Sequence, residues 1–516
     1  MISKNQPTPS PHLSYSFFCV SVSLKSSVFS VASDGASYMT STKKPTIKEI
    51  LDIRSVAIVG VSEKLGYYWV HSMLQWNHQL RVWLVSRREG EVLGHKIYTS
   101  LADVPESIDY AIIAVPYKYV PQALRECHAK GAKAVTIFTS GFSELGTEEG
   151  RERETEIRGI LDELPIRAFG PNCMGLMYPE IGFAFIPTVK RLAGNVGFLS
   201  QSGGVAIATY TAGVEGGVGF SKLFSFGNQV DITPQELLDF LRDDDETKVI
   251  GAYIEGAKNG REVLTSLIDT AKKKPIVVLK GGRTNAGARV ASSHTGALAG
   301  NQEIWTAAFH QANVQTVDTL EDLIATLSIF SLSPKPKTRD VGIVAISGGT
   351  SVIYTDLCIE NGLNVPRTSP DTLKRLDPLI RDVGTGLSNP IDLASDYYQD
   401  QTTAEVIRIV ANDPQFSSLI FEADVHNMYQ VASIMGAQDV LVDYWRAVAK
   451  VGKEIVEKNN KPVLAVVPEV AYPLPRSEAW NAFVEEGLPV FHNMIEAIRA
   501  LARVCKYHEV ASDRHG

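Results

Sequence analysis

From residue 46 onward the chain alternates two patterns. Short, nearly unbroken apolar runs end in Gly, Ser or Pro, and between them apolar residues recur at helical spacing on otherwise polar stretches. The first pattern predicts strands buried on both faces and the second predicts helices packed over them. The first unit opens with SVAIVGVS (55–62) and continues through LRVWLVS (80–86), YAIIAVP (110–116) and AVTIFTSGFSE (134–144). VPQALRECHAKG (120–131) reads as an amphipathic helix, with Gly131 placed to stop it.

The same plan recurs twice. A second unit begins at NVGFLSQSGGVAIA (195–208) and adds the strands VIGAYIEG (249–256) and PIVVLKGG (275–282). NGREVLTSLIDTAKKK (259–274) between them ends in lysines, which suits a helix C-terminus. SPKPKTRD (333–340) reads as a linker. Beyond it come VGIVAISGGTSVIYTDLCIENG (341–362), SLIFEAD (418–424) and KPVLAVVPE (461–469). The expected fold class is α/β, with three consecutive doubly wound domains and mainly parallel sheets, over residues 46–180, 190–332 and 338–510.

Residues 1–45 stand apart. They are rich in Ser and Thr, and the first acidic residue is Asp34. The readings open here are a disordered leader, a misplaced start with Met39 as the natural one, and a targeting segment. A leader that acts would place the protein in an organelle, and otherwise the expected compartment is the cytoplasm. The five cysteines (Cys19, Cys127, Cys173, Cys358, Cys505) show no CxxC spacing, which suits a reducing compartment and disfavours a disulfide framework. A formal net charge of −8 without long basic runs speaks against nucleic acid or an anionic membrane as the partner. No apolar run is long enough to cross a bilayer.

Chemistry enters at the strand-to-helix turns. Ser202-Gly203-Gly204 and Ser347-Gly348-Gly349 each lead a strand into a helix, where free N–H groups and the helix dipole favour an anion. A tight turn alone would also account for either. The first loop, GVSEKLGYYWVHS (60–72), is not a GxGxxG fingerprint, and the second strand ends in Arg87-Arg88 rather than an acid. That favours a nucleotide carrying an extra phosphate, NADP or coenzyme A, over NAD; two exposed arginines are the alternative. No Walker loop and no metal-ligand spacing occur, so no metal site is expected. His294 lies in ARVASSHTGALAGN (288–301), where small neighbours leave the ring accessible to large ligands. A histidine acting as acid, base or nucleophile needs a carboxylate to orient it, and Glu255, closing a predicted strand of the same unit, is the candidate; a surface or structural histidine and a solvated strand-end carboxylate are the alternatives.

Taken together, ASSHTGALAG, IEGAKNGRE, LSQSGGVA, SFGNQVDI and FGPNCMGL resemble the α subunit of ADP-forming acyl-CoA synthetases, in the superfamily of succinyl-CoA synthetase, over about residues 46–505. The resemblance implies a Rossmann-like coenzyme A-binding domain followed by two flavodoxin-like ligase domains. It implies that His294 becomes a transient phosphohistidine, that Glu255 hydrogen-bonds it, and that Ser202, Gly203 and Gly204 hold its phosphate. The coenzyme A site would draw on Gly60, Ser62, Arg87, Val115, Pro116, Ser140, Gly141, Gly170, Pro171, Asn172 and Cys173. Acyl-CoA, phosphate and ADP would interconvert with carboxylic acid, coenzyme A and ATP by way of an acyl phosphate.

Two departures carry expectations of their own. No segment remains for an ATP-grasp module, so ATP, ADP and Mg2+ are expected to act only through a separate β-type partner in a hetero-oligomer. Tyr67, Tyr68 and Trp69 stand where the family has smaller residues, which points to an altered coenzyme A pose or an unusual acyl group. NPIDL (389–393) also matches but suggests no chemical role. A non-catalytic acyl-CoA-binding or regulatory protein is the alternative function, and an NADP-linked oxidoreductase a third.

Overall fold

The computed structural model describes residues 43–76, 79–295, 302–380, 385–394 and 400–513, with the side chains of 292–295, 400–401 and 513 outside that description. The leader 1–45 therefore lies almost wholly outside the described residues. Three sheets follow one another along the chain.

The first comprises β1 (Ser55–Val59), β2 (Arg81–Val85), β3 (Gly90–Val92), β4 (His95–Tyr98), β5 (Tyr110–Ile113), β6 (Ala134–Ile137) and β7 (Arg167–Phe169), in the order β3-β4-β2-β1-β5-β6-β7. Only β3 runs antiparallel, at the edge. The rest have the doubly wound order, with the chain reversing direction between β1 and β5. β1 and β5 are buried at every position, which is why the sequence shows no in–out alternation there.

The second sheet comprises β8 (Gly175–Met177), β9 (Ala193–Ser200), β10 (Phe220–Ser225), β11 (Val249–Ile254), β12 (Ile276–Lys280) and β13 (Gln315–Val317), in the order β13-β12-β11-β9-β10-β8. The third comprises β14 (Val341–Ala345), β15 (Ile391–Asp392), β16 (Ser418–Glu422), β17 (Val463–Val466) and β18 (Val490–Phe491), in the order β15-β14-β16-β17-β18. Both are flavodoxin-like, with the reversal beside the first strand of each unit. The third sheet is wholly parallel. The expected fold class is thus the observed one.

Three local features escaped the hydrophobic pattern. β8 follows the Gly170–Cys173 turn directly and adds antiparallel to the second sheet, so the chain enters that sheet before residue 180. β10 carries Lys222 on a strand that is otherwise apolar or hydroxylated. The lysine is buried because its ammonium meets Asp244 at 2.9 Å and Glu246 at 2.7 Å. The stretch 333–340, expected as a linker, is tied down: Ser417 Oγ donates to Thr338 O at 2.7 Å, and Arg339 Nε donates to Glu509 at 2.6 Å.

Polar ties join the units. Arg167 on β7 is buried, donates to Asp231 at 2.8 Å and forms a two-pronged pair with Glu236 at 2.8 and 2.7 Å. Between the second and third units, Arg503 of the C-terminal helix Met494–Asp513 meets Asp322 at 2.9 Å, and Asn313 Nδ2 donates to Tyr507 O at 3.4 Å. NPIDL has a structural use. Asn389 accepts from Ile343 N at 2.9 Å and donates to Val341 O at 2.8 Å, fastening the loop before β15 to β14.

Candidate functional site

The chain reversal between β9 and β11 opens a crevice at the C-terminal ends of these strands. Ser202 caps the helix Gly203–Glu215 there, its hydroxyl accepting from Val205 N at 3.4 Å. The residue just before it, Gln201, reaches across: its Oε1 accepts from Glu255 N at 2.9 Å and from Gly256 N at 3.1 Å. The phosphate-turn candidates and Glu255 are therefore neighbours by construction.

Glu255 is buried, with 7% of its surface exposed. Its backbone N–H is held by Gln201, and its carbonyl accepts from Lys280 Nζ at 2.7 Å. Its Oε1 accepts from the Tyr253 hydroxyl at 3.1 Å. The remaining carboxylate oxygen, Oε2, is buried and has no hydrogen-bond partner among the described residues. An orphaned carboxylate oxygen is costly, and such sites are kept where a ligand or a moving group completes them. Gly281 makes the arrangement possible. A Cβ at that position would lie 2.6 Å from Tyr253 Oη and 3.2 Å from Glu255 Cγ, so no larger residue leaves room for both side chains.

Burial raises the Tyr253 phenol, and the adjacent Glu255 carboxylate raises it further, so the hydroxyl keeps its proton and stays a donor. Lys280 is buried, and desolvation lowers its ammonium to about 8 against the opposing pull of Glu255. Sequence reading missed Gln201, Tyr253 and Lys280. Each lies at a strand end, where only the register of β9, β11 and β12 makes them neighbours.

His294 belongs to the last turn of the helix Asn285–Thr295, not to a loop. The position of its imidazole lies outside the described residues, as does the run 296–301. That helix follows β12 directly and packs against the turn Ser143–Leu145 of the first unit.

The second Ser-Gly-Gly turn starts the helix Gly348–Glu360. Its surroundings are acidic: a Cβ at Gly348 would lie 3.3 Å from Asp392 Oδ2. Close by in the same sheet, Glu422 accepts from the Tyr354 hydroxyl, and burial raises its carboxyl.

In the first unit the remaining candidates gather along one edge of the sheet, at the C-terminal ends of five strands. Gly60 follows β1 at φ +106°, and a Cβ there would lie 2.5 Å from Ala114 O; only glycine permits this approach of β1 to β5. Ser62 precedes the short 3-10 turn Glu63–Leu65. Arg87, after β2, stacks its guanidinium 4.3 Å from the centre of the Tyr119 ring, and Arg153 stacks 4.1 Å from Tyr117. Val115 and Pro116 follow β5, and Val115 O accepts from Thr139 Oγ1 at 2.6 Å.

Ser140 and Gly141 follow β6. Glu144 Oε1 accepts from Gly141 N at 2.5 Å and from Phe142 N at 3.1 Å, which sets the loop. Gly170, Pro171 and Asn172 form the turn after β7, with a cis Gly170–Pro171 bond and Asn172 N donating to Thr139 O at 3.0 Å. Cys173 is buried beneath the turn and burial pushes its thiol up, so it packs as a thiol. The glycine-lined edge, with Arg87, Lys118 and Arg153 around it, fits a large phosphorylated ligand lying across β1, β2, β5 and β6.

Tyr67, Tyr68 and Trp69 line a narrow hollow at that edge together with Gly60 and Ser62. Tyr68 Oη donates to Phe185 O at 2.9 Å, and Trp69, 4% exposed, meets Phe138 edge-on at 5.3 Å. The two rings fill space beneath the loop, while Tyr67 takes a left-handed conformation at φ +52°.

Asn228, in the SFGNQVDI run, links the two halves. Its N–H donates to Pro171 O at 3.1 Å, and its Nδ2 faces Glu144 at 2.6 Å and Glu154 at 3.1 Å. Glu154 also meets Lys258 at 3.5 Å, in the loop that leaves Glu255. A polar chain thus runs from the Gly141 loop to the Glu255 loop.

Comparison with known proteins bears on both halves. Residues 54–179 match the model of a CoA binding domain, and 193–330 that of a succinyl-CoA ligase-like flavodoxin domain. The chain is 34% identical over 423 residues to the α subunit of the ADP-forming acetate–CoA ligase II of Pyrococcus furiosus, covering 80% of this chain and 88% of that protein. It is 31% identical to the α subunit of ligase I from the same organism, over 90% of this chain and 98% of that one. Among solved structures, the dinucleotide-forming acetyl-coenzyme A synthetase 1 of Candidatus Korarchaeum cryptofilum, in complex with phosphate and ADP, superposes with a TM-score of 0.75 at 27% identity. The match covers 89% of this chain and 96% of that one.

Proposed function

Because the chain belongs to the family of ADP-forming acyl-CoA synthetase α subunits, we propose that its phosphoryl carrier is His294, served by Glu255 and the Ser202-Gly203-Gly204 turn. Orthophosphate attacks the acyl-CoA carbonyl; the new C–O bond displaces the sulfur, which leaves as a thiolate and takes up a proton. The imidazole of His294 then attacks phosphorus. The P–O bond to the acyl group breaks, and its electron pair leaves with the carboxylate. Glu255 Oε2 accepts a hydrogen bond from the proton-bearing nitrogen of the ring and stabilises the positive charge that develops there. The N–H groups at the start of the helix Gly203–Glu215 hold the phosphoryl oxygens. The phosphohistidine passes its group to ADP, and the sequence is reversible.

The nucleotide site and its Mg2+ belong, in this reading, to an ATP-grasp β-type partner in a hetero-oligomer, consistent with the α-subunit names of the Pyrococcus relatives. Coenzyme A lies along the edge formed by Gly60, Ser62, Arg87, Val115, Pro116, Ser140, Gly141 and Gly170–Cys173. Cys173 contributes there through its backbone. The four described cysteines are free and buried, and no described helix is long and apolar enough to cross a membrane. A reducing, cytoplasmic setting agrees with both. The observation that carries this reading is the single open oxygen of Glu255 beside the helix-capping turn.

The test is phosphorylation. The chain is mixed with a β-type partner, γ-labelled ATP and Mg2+. Acid-labile, base-stable label on the chain, absent from His294→Ala, is the expected result. A chain that binds coenzyme A yet takes no label would instead be a binding or regulatory protein.

A further inference from the structure

Lys280 closes β12 with 3% of its surface exposed, in a place where an aliphatic residue would bury as well. Its ammonium donates to the Glu255 carbonyl at 2.7 Å and to Gly281 O, and lies 5.5 Å from the centre of the Trp305 ring. Two carbonyls satisfy two of its three N–H donors. They do not neutralise its charge. Burying an ammonium costs free energy that the fold would avoid with an uncharged residue. The charge that faces it among the described residues is Glu255, whose carboxylate is itself buried; the Tyr253 hydroxyl, hydrogen-bonded to that carboxylate, is the other titratable group at hand.

We infer that Lys280 is a positioning residue for phosphoryl transfer: it fixes the backbone of Glu255 and supplies a buried positive charge beside that carboxylate and the adjoining turn, where a phosphoryl group is held. This rests on the function proposed above. A carboxylate and a phosphate share the same crevice, and a buried cation beside them offsets their mutual repulsion. A lysine does this only while protonated. Burial lowers the Lys280 ammonium to about 8, so its help fades as pH rises through that value.

The experiment follows the initial rate of label transfer from ATP to the chain in the presence of the partner, between pH 6.5 and 9.5. The wild type should lose rate above about pH 8. Lys280→Met, the apolar near-isostere, should be about 100-fold slower at pH 7 with unchanged coenzyme A affinity. Lys280→Arg should retain rate above the wild-type limb, because guanidinium does not deprotonate there. Circular dichroism and thermal melts confirm that each variant folds, and should the arginine not fit, the wild-type limb and Lys280→Met decide.

Orthophosphate binding by the full-length chain is measured in parallel, with an expected loss of about tenfold in Lys280→Met. Labelling of Lys280→Met at the wild-type rate with the wild-type pH profile overturns the inference and leaves the proposed function standing. No label in the wild type, with phosphate affinity still reduced in Lys280→Met, overturns the proposed function and keeps the role of the charge. No label and unchanged phosphate affinity overturn both.

Discussion

Tyr253 and Glu255 lie two residues apart on the same strand end, and the tyrosine hydroxyl donates to Oε1 of the glutamate at 3.1 Å, leaving Oε2 without a partner among the described residues. The relationship orients a buried carboxylate. Replacing Glu255 by Gln keeps the shape and removes the charge that stabilises an imidazolium. The label on His294 should then fall about 100-fold with coenzyme A affinity unchanged. Tyr253→Phe should cost less, about tenfold, because the carboxylate remains in place and loses only the hydrogen bond that orients it. Quench-flow labelling beside calorimetric coenzyme A titration separates the two effects.

Gly60 offers the opposite dissociation. Its φ is +106°, and the methyl carbon of an alanine there would sit 2.5 Å from Ala114 O, so Gly60→Ala must push β1 and β5 apart at the chain reversal. Coenzyme A affinity should fall tenfold or more, while ATP-dependent labelling of His294, one unit away, continues. That affinity falls by about 1.4 kcal/mol for each tenfold change.

Asn228 should affect both halves. Its Nδ2 lies between the buried carboxylates of Glu144 and Glu154, so Asn228→Asp places a third acid among them. A loss of about 3 kcal/mol in stability is expected, together with weaker coenzyme A binding and slower labelling. Asn228→Ala should cost about 1–3 kcal/mol, because it removes a donor without adding charge. Urea titration gives the stability change and the two activity readouts test the coupling.

His508 predicts an acid-sensitive step. Its ring packs against Phe330 at 6.0 Å and Tyr507 at 5.1 Å, and burial, helped by Lys335, lowers it to about 4 from 6.5. Between those values the unfolded chain binds the proton and the folded chain does not. Stability from this group is therefore complete above pH 6.5 and is lost as pH falls towards 4. The expected loss is about 1–3 kcal/mol, seen as a melting temperature that drops over this window. His508→Leu should flatten that slope.

Much of the fold was legible because doubly wound units bury their central strands on both faces, and such strands announce themselves as unbroken apolar runs. β1, β5, β9, β11, β14, β16 and β17 all fall within runs visible in the chain. β8 and β10 did not show. β8 is three residues long, and β10 includes a lysine whose burial depends on Asp244 and Glu246 folding back onto it. Sequence shows the size of Tyr68 and Trp69 but not their contacts, the Phe185 carbonyl for one and the Phe138 ring for the other.

The sequence by itself determined which residues could do chemistry: a histidine among small neighbours, a glutamate at a strand end, and glycine turns that expose N–H groups. Those are local properties of side chains and dihedral preferences. The tertiary structure alone decided which atoms of Glu255 are occupied and which one is open. That depends on the register that sets β11 between β9 and β12, bringing Gln201 onto the backbone N–H of Glu255, Lys280 onto its carbonyl and Tyr253 onto its carboxylate from three strand ends. The bonds of Gln201 and Lys280 to Glu255 join residues far apart along the chain and leave no periodic trace in it.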